Sequence, residues 1–453
     1  MRDILLVGLT LICSFVALGR PFVGLLAFVF YALFAPQTWV WFFARELPHQ
    51  QIISGCTLLG YLVSSERKTF LHQREAKLMG VLWIFFAITS VFAVERQPAL
   101  EQFVLVSKIF LMVFLSISMV NTRERIIWLL RVMALALGLY ALKGAIFFLG
   151  TGGQGMVEAP EGSYLTANNA LGIALVMNVP LLFYLMKEDS FFWLRRLFKA
   201  MFLASYPAVI GTFSRGAWMG LAVVTLVLLW KTKREAIRLI GAAALCAPLL
   251  AIILMLFPGI GSKIFSSRVI ERYETLENVD EDATSQQRFD SWEYCKRVGF
   301  ANPIVGAGFA YYSRDSIARY YPELWIRWPG KVWSCHSSWL TVLGEHGVLG
   351  LLLWVGLLIS SFRSLRQIRI HGRRFPEAAW VVDLSGIIQM SLLGYIVAGT
   401  FLDFAYFDGY YQLVAVIIAT KEVLYGVHPI RVLSEEAVGR VARGSVMNPS
   451  MQH

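Results

Sequence analysis

The chain alternates between apolar runs of about twenty residues and short polar connections. The runs lie near residues 3–19, 21–35, 51–64, 78–95, 102–121, 126–149, 167–186, 197–212, 216–231, 236–257, 337–361, 382–402 and 409–427. Polar residues do not recur at every second position within them, so they predict helices and not the alternating strands of a membrane barrel. A helix of that length matches the hydrocarbon thickness of a bilayer. The predicted architecture is all-α, a polytopic transmembrane helix bundle. Thirteen runs would put the two chain ends on opposite sides. One of the first segments is short, and re-entry or merger with its neighbour gives the preferred count of about twelve spans.

Composition removes the alternative of two or three soluble domains that 453 residues would otherwise suggest. Hydrophobic residues make up 57% and charged residues 16%, where a soluble surface needs about a quarter charged. Met1-Arg2-Asp3 precedes an apolar run as in a signal peptide, but no small-residue cleavage site follows and a second run starts after Arg20. The net charge of +11 reads as basic connections held on the cytoplasmic side, not as nucleic-acid binding, since no basic stretch has a nucleic-acid module's signature. Arg67, Lys68, Arg74 and Lys77 mark that side, as do Lys187 with Arg195 and Arg196, and Arg363 through Arg374. The intervening connections are neutral or acidic, Glu158 and Glu161 included.

This arithmetic divides the chain into N-terminal transmembrane helices (1–257), an external loop domain (258–336), C-terminal transmembrane helices (337–427) and a cytoplasmic tail (428–453). The loop opens with the helix stop Pro258-Gly259, continues through acids from Glu274 to Asp282, and offers Thr284 or Ser285 to cap a helix ending near Gly299. Asn302-Pro303 and Gly306 then turn the chain. Tyr311, Tyr312, Tyr320, Tyr321, Trp325, Trp328 and Trp333 suit either a membrane interface or sugar stacking. Cys13, Cys56 and Cys246 lie in apolar runs as packing residues; Cys295 and Cys335 share the loop, where a disulfide is open to them.

Charges at the outer ends of spans are the candidate chemistry, because desolvating them is costly without a partner or a function. Arg215 sits in a turn of a few residues between two apolar runs, and its guanidinium presents a rigid fork suited to phosphate oxygens; an interface arginine is the plain alternative. Arg288, Trp292 and Cys295 fall on one face of the loop helix by their spacing of four and three; a salt bridge to a nearby acid would equally explain Arg288. His336, at the mouth of the next run, can accept a proton near neutral pH, though a lone histidine also serves as a structural donor. Glu345 and His346 read as packing or a buried ion pair, ahead of a catalytic role. Asn168 and Asn169 open a helix where amides can meet a sugar or phosphate, or simply cap it. No metal-ligand cluster, Walker loop or dinucleotide fingerprint is present, so no metal or other cofactor is expected, and a pre-activated lipid-linked donor fits better than a nucleotide.

These residues resemble the O-antigen ligase superfamily, which includes O-antigen ligases, O-antigen polymerases and O-linked oligosaccharyltransferases. The resemblance rests on Ser214-Arg215-Gly216, Arg288-(x3)-Trp292, the run Asn302-Pro303-Ile304-Val305-Gly306-Ala307-Gly308-Phe309, and His336-Ser337-Ser338-Trp339-Leu340 followed by Glu345-His346-Gly347 and Gly350. The N-terminal Met1-Arg2-Asp3-Ile4-Leu5-Leu6 and the Asn168-Asn169 pair are similar to the exosortase-associated O-glycosylation ligase branch. Asn302 stands where the family often has histidine, and Ser337 where it often has asparagine. The resemblance implies metal-independent, inverting transfer of an undecaprenyl-diphosphate-linked glycan on the periplasmic face of the bacterial inner membrane. Arg215 and Arg288 would hold the diphosphate, and His336 would orient or deprotonate the acceptor hydroxyl. Asn168, Asn169, Trp292 and Ser337 would contact substrate. The expected acceptor is the lipid A-core of lipopolysaccharide; a protein hydroxyl or a second lipid-linked repeat are the alternatives. A polyprenyl-glycan transporter is the competing class, and Lys108, Arg131 and Lys143, which lie within runs, are its best support.

Overall fold

The computed structural model describes residues 1–66, 71–231, 283–332 and 334–427. Among these the regular structure is entirely helical. The described residues begin with α1 (Arg2–Gly19), α2 (Pro21–Phe34), α3 (His49–Val63), α4 (Arg74–Val91), α5 (Arg96–Met119), α6 (Arg123–Gly150), α7 (Asn168–Glu188), α8 (Phe192–Gly211) and α9 (Arg215–Lys231). Shorter or more polar helices follow, α10 (Ala283–Ala301), α11 (Arg314–Tyr320) and α12 (Pro322–Arg327). The chain then returns through α13 (Ser338–Gly372), α14 (Ala379–Gly399) and α15 (Asp408–Val427). Every apolar run expected from sequence is helical except 236–257, which lies outside the described residues. So do Arg67, Lys68, Cys246, Pro258-Gly259, the acids from Glu274 to Asp282, Trp333 and the tail. The helix expected after Thr284 or Ser285 begins at Ala283, so both residues fall within its first turn.

Among the described residues, 6 helices are long and apolar enough to cross a membrane: α1, α5, α6, α7, α13 and the stretch Pro376–Gly399 that contains α14. The expectation of about twelve spans is therefore met in part by length and composition; α2, for instance, has only 14 residues. Burial orders the bundle. The most apolar stretch of α7 is 89% buried, against 28% for α1. A helix apolar all round belongs at the centre, and one that shows Ile4, Leu5 and Phe15 outward belongs at the lipid boundary. α7 packs on α6, α8, α9 and α14. Close approach of α9 to α14 rests on small residues: a Cβ at Gly220 would lie 3.0 Å from that of Ala398.

Charged partners fix the end of the bundle that carries the basic connections. Arg125 donates to both oxygens of Glu66 (2.7 and 3.0 Å). Arg131, which in sequence supports a transporter, is locked to Asp189 through its Nε at 2.7 Å and Nη2 at 3.1 Å, with side-chain exposures of 8% and 0%. Lys143 rests on the Trp39 ring, 3.8 Å from its centroid, and Lys108 is exposed. Removing one partner from the buried pair strands a charge. Arg131→Met is expected to cost about 3 kcal/mol, most of it recovered in Arg131→Met/Asp189→Leu, read as thermal denaturation in detergent.

The run 337–361 does not form one continuous span. Gly347 interrupts α13 with φ 68° and ψ −172°. Trp339 and Trp354, which a continuous helix would hold about 22 Å apart along its axis, meet with ring centroids 5.2 Å apart. The arm from Ser338 to His346 thus doubles back on the longer piece that follows Gly347.

The described part of the loop has a small core of its own, in which Tyr294, Cys295, Val298, Tyr311, Ile317 and Leu324 are buried. For two residues of the aromatic-rich stretch this differs from the expectation. Tyr311 and Tyr321 lie neither at an interface nor open to sugar; they fill this core. Polar contacts also tie this core together. Tyr294 donates to Ser316 (2.7 Å), and the Arg297 guanidinium lies 4.0 Å from the centroid of the Tyr321 ring.

Candidate functional site

Arg215 is the first residue of α9 and is buried, 9% exposed. The turn before it is tight: Phe213 takes φ 51°, and Ser214 Oγ accepts from the Ala217 N–H at 3.3 Å. Asn168 ties this turn to the start of α7, its Nδ2 donating to the Thr212 carbonyl at 2.6 Å. Neither Asn168 nor the half-buried Asn169 caps α7, whose N-cap is Ala167. Gly216 then brings α9 against Phe401, whose Cβ would lie 2.9 Å from a Cβ placed at that glycine.

The stripe expected on α10 faces the strand of chain that carries His336. Cys295 is bonded to Cys335, with Cα atoms 5.8 Å apart, so the disulfide left open by the sequence is formed. One turn earlier, Trp292 Nε1 donates to the His336 carbonyl at 3.4 Å, and its ring lies 6.1 Å from that of Phe401. Arg288, a further turn back, is near enough for its charge to act on His336. Phe401 therefore stands between the Arg215 turn and the α10 face.

His336 has φ 48°, the left-handed region that a residue with a Cβ enters at a cost. Its Nδ1 is buried with no hydrogen-bond partner among the described residues. Burial, and then the Arg288 charge, pull its pKa below the usual histidine range. The imidazole is thus neutral at pH 7. Ser337 is buried beside it at the N-cap of α13, and Ser338 Oγ donates to the Leu402 carbonyl (2.9 Å) while accepting from the Phe404 N–H (3.0 Å).

The segment holding His336 is positioned by the break in α13. The Asn302–Phe309 run fills that break. Val348 N–H donates to the Pro303 carbonyl (2.8 Å), Ala307 N–H to that of Gly344 (2.9 Å) and Gly308 N–H to that of Glu345 (2.8 Å). Backbone groups freed by the interruption are thereby satisfied. Glu345 and His346 belong to the same interlock: Glu345 accepts from the Ala310 N–H (2.9 Å) and from Tyr406 (2.5 Å), and His346 joins Tyr406 (3.0 Å) to Thr89 (2.7 Å). This hydrogen-bonded chain agrees with the packing role read for the pair, though Tyr406 stands where an ion pair was the other expectation.

The connection between α14 and α15 is the part of the site that sequence reasoning missed. Asp403 lies between the two backbone groups that Ser338 grips. Burial pushes its carboxyl up to about 6, with the Thr341 hydroxyl pulling partly back. A signal for it exists: an acid in a connection of a few residues between two apolar runs, on the side otherwise poor in charge. Two buried or half-buried cations and a neutral imidazole can hold an anionic leaving group and accept a proton from a hydroxyl.

The O-antigen ligase family model matches residues 200–355, a segment that includes Arg215, Arg288, Trp292 and His336. Residues 1–190 match a family of unknown function (DUF5935). No curated protein matches the chain.

Proposed function

From the match of residues 200–355 to the O-antigen ligase family model, we propose that the chain is an inverting, metal-independent glycosyltransferase of the periplasmic face of the bacterial inner membrane. The donor is an undecaprenyl-diphosphate-linked glycan, and the acceptor is the lipid A-core of lipopolysaccharide. The observation that carries the reading is His336: strained, neutral and half-buried, its Nδ1 without a partner among the described residues, beside Arg288.

In the proposed step, the acceptor oxygen attacks the anomeric carbon from the face opposite the diphosphate. The new C–O bond forms as the bond to the diphosphate oxygen breaks, and that oxygen leaves with the electron pair. The His336 imidazole takes the acceptor proton. Arg215 and Arg288 neutralise the charge gathering on the leaving group, and Asn168, Asn169, Trp292 and Ser337 line the approach. A largely apolar groove of about 420 Å³ is lined by Trp339, Val355, Ile396 and Phe362, with Arg363 and Arg366 also on its wall. Its Trp339 wall, three residues after His336, supports lateral entry of a polyprenyl chain.

The test is transfer by purified protein supplied with undecaprenyl-diphosphate glycan and lipid A-core, with chelator and without nucleotide. Modified core is expected as a ladder on a gel, lost by about two orders of magnitude in His336→Ala. Undiminished transfer by His336→Ala overturns its assignment. Transfer to a protein hydroxyl or to a second lipid-linked repeat, with none to lipid A-core, moves the reading to an oligosaccharyltransferase or a polymerase.

A further inference from the structure

At the end of the bundle that carries the basic connections, away from His336, a cavity of about 380 Å³ opens between α7, α9, α13 and α14. Lys187, Lys231, Arg369 and Arg373 line it, against two acids, Glu188 and Asp383. Positive charge is in excess. Arg369 Nη1 donates to Gln389 (3.1 Å), but its Nε is buried with no hydrogen-bond partner among the described residues. Lys231 Nζ reaches the Gly386 carbonyl at a long 3.3 Å. A buried guanidinium N–H without an acceptor is costly, and a bound anion would supply one. The remaining wall is apolar, with Leu228, Ile387 and Met390.

We propose that this cavity binds the phosphate headgroup of an anionic phospholipid, with an acyl chain against the apolar wall. Basic pockets between membrane helices suit such headgroups. A free phosphate would satisfy the cations but leave the apolar wall unused, which favours the lipid. The site is independent of the proposed transfer chemistry. It also grips the far end of α9, the helix that opens with Arg215.

The experiment uses delipidated full-length protein in detergent, with binding followed by native mass spectrometry and thermal denaturation. Phosphatidylglycerol is expected to bind and raise the melting temperature where phosphatidylcholine does not. Lys231→Gln/Arg373→Gln is expected to weaken that binding roughly 30-fold. Arg195→Gln/Arg196→Gln, which removes as much charge from exposed positions, should retain it. Met390→Trp, which keeps every charge, should also weaken it by filling the acyl space, so a folding defect in the first variant does not decide the matter. Equal binding of phosphatidylcholine, or full binding by both cavity variants, overturns the proposal. Stabilisation by inorganic phosphate alone, equal to that by phosphatidylglycerol, overturns the lipid assignment and leaves a free-anion site.

Discussion

Arg288→Ala is expected to insert and accumulate as the parent chain does while its transfer rate falls about a hundredfold or more, the usual cost of removing one group that stabilises charge in the transition state. Arg288 is half-buried on α10, and its charge already acts on His336. Its loss would therefore do two things. The leaving diphosphate would lack a counter-charge, and the His336 pKa would rise as the neighbouring cation disappears. The second effect gives the substitution a signature beyond lost rate: residual transfer should fall off at a higher pH than in the parent, because the imidazole becomes protonated sooner on acidification. The measurement is a pH–rate profile of both proteins in the reconstituted assay. Full transfer by a well-folded Arg288→Ala protein would remove this residue from the mechanism.

The second large effect is structural. Gly347→Val should destabilise the protein by about 3–5 kcal/mol and abolish transfer with it. At φ 68° and ψ −172° the backbone is in a region open essentially to glycine alone. A Cβ there would lie 2.6 Å from the Pro303 carbonyl oxygen and 2.7 Å from that of Asn302. Relief by a small shift is blocked, since those carbonyls belong to the run that fills the helix break. Gly356→Val, on the same helix with nothing within 4 Å of its Cβ position, is the control and should be nearly neutral. Equal thermal stability of the two variants in detergent would show that the break is not needed.

The helices are legible in the sequence because each apolar run carries its own signal, length and hydropathy, without reference to the rest of the chain. The α10 face is legible for a similar reason, because the spacing of Arg288, Trp292 and Cys295 is local; that it meets Cys335 and His336 is not contained in that spacing. What escapes is non-local. Nothing near Gly347 announces that the Asn302–Phe309 run, from a different part of the chain, occupies the break, so 337–361 reads as one span. The left-handed backbone of His336 is equally silent, because its cause lies in the elements packed on either side. Asp403 escapes because its importance comes from Ser338, on another helix, gripping the backbone on both sides of it.

The bond between Cys295 and Cys335 joins residues 40 apart in sequence, and one of them precedes His336 directly. On the orientation proposed above, that clasp closes only after the loop has left the reducing cytosol. The two halves of the site are then united by the compartment as well as by folding: a newly made chain that has not crossed the membrane would hold its arginine-bearing helix and its histidine on separate, untied segments. The crosslink would act as a licence, granted only on the side of the membrane where the proposed transfer takes place.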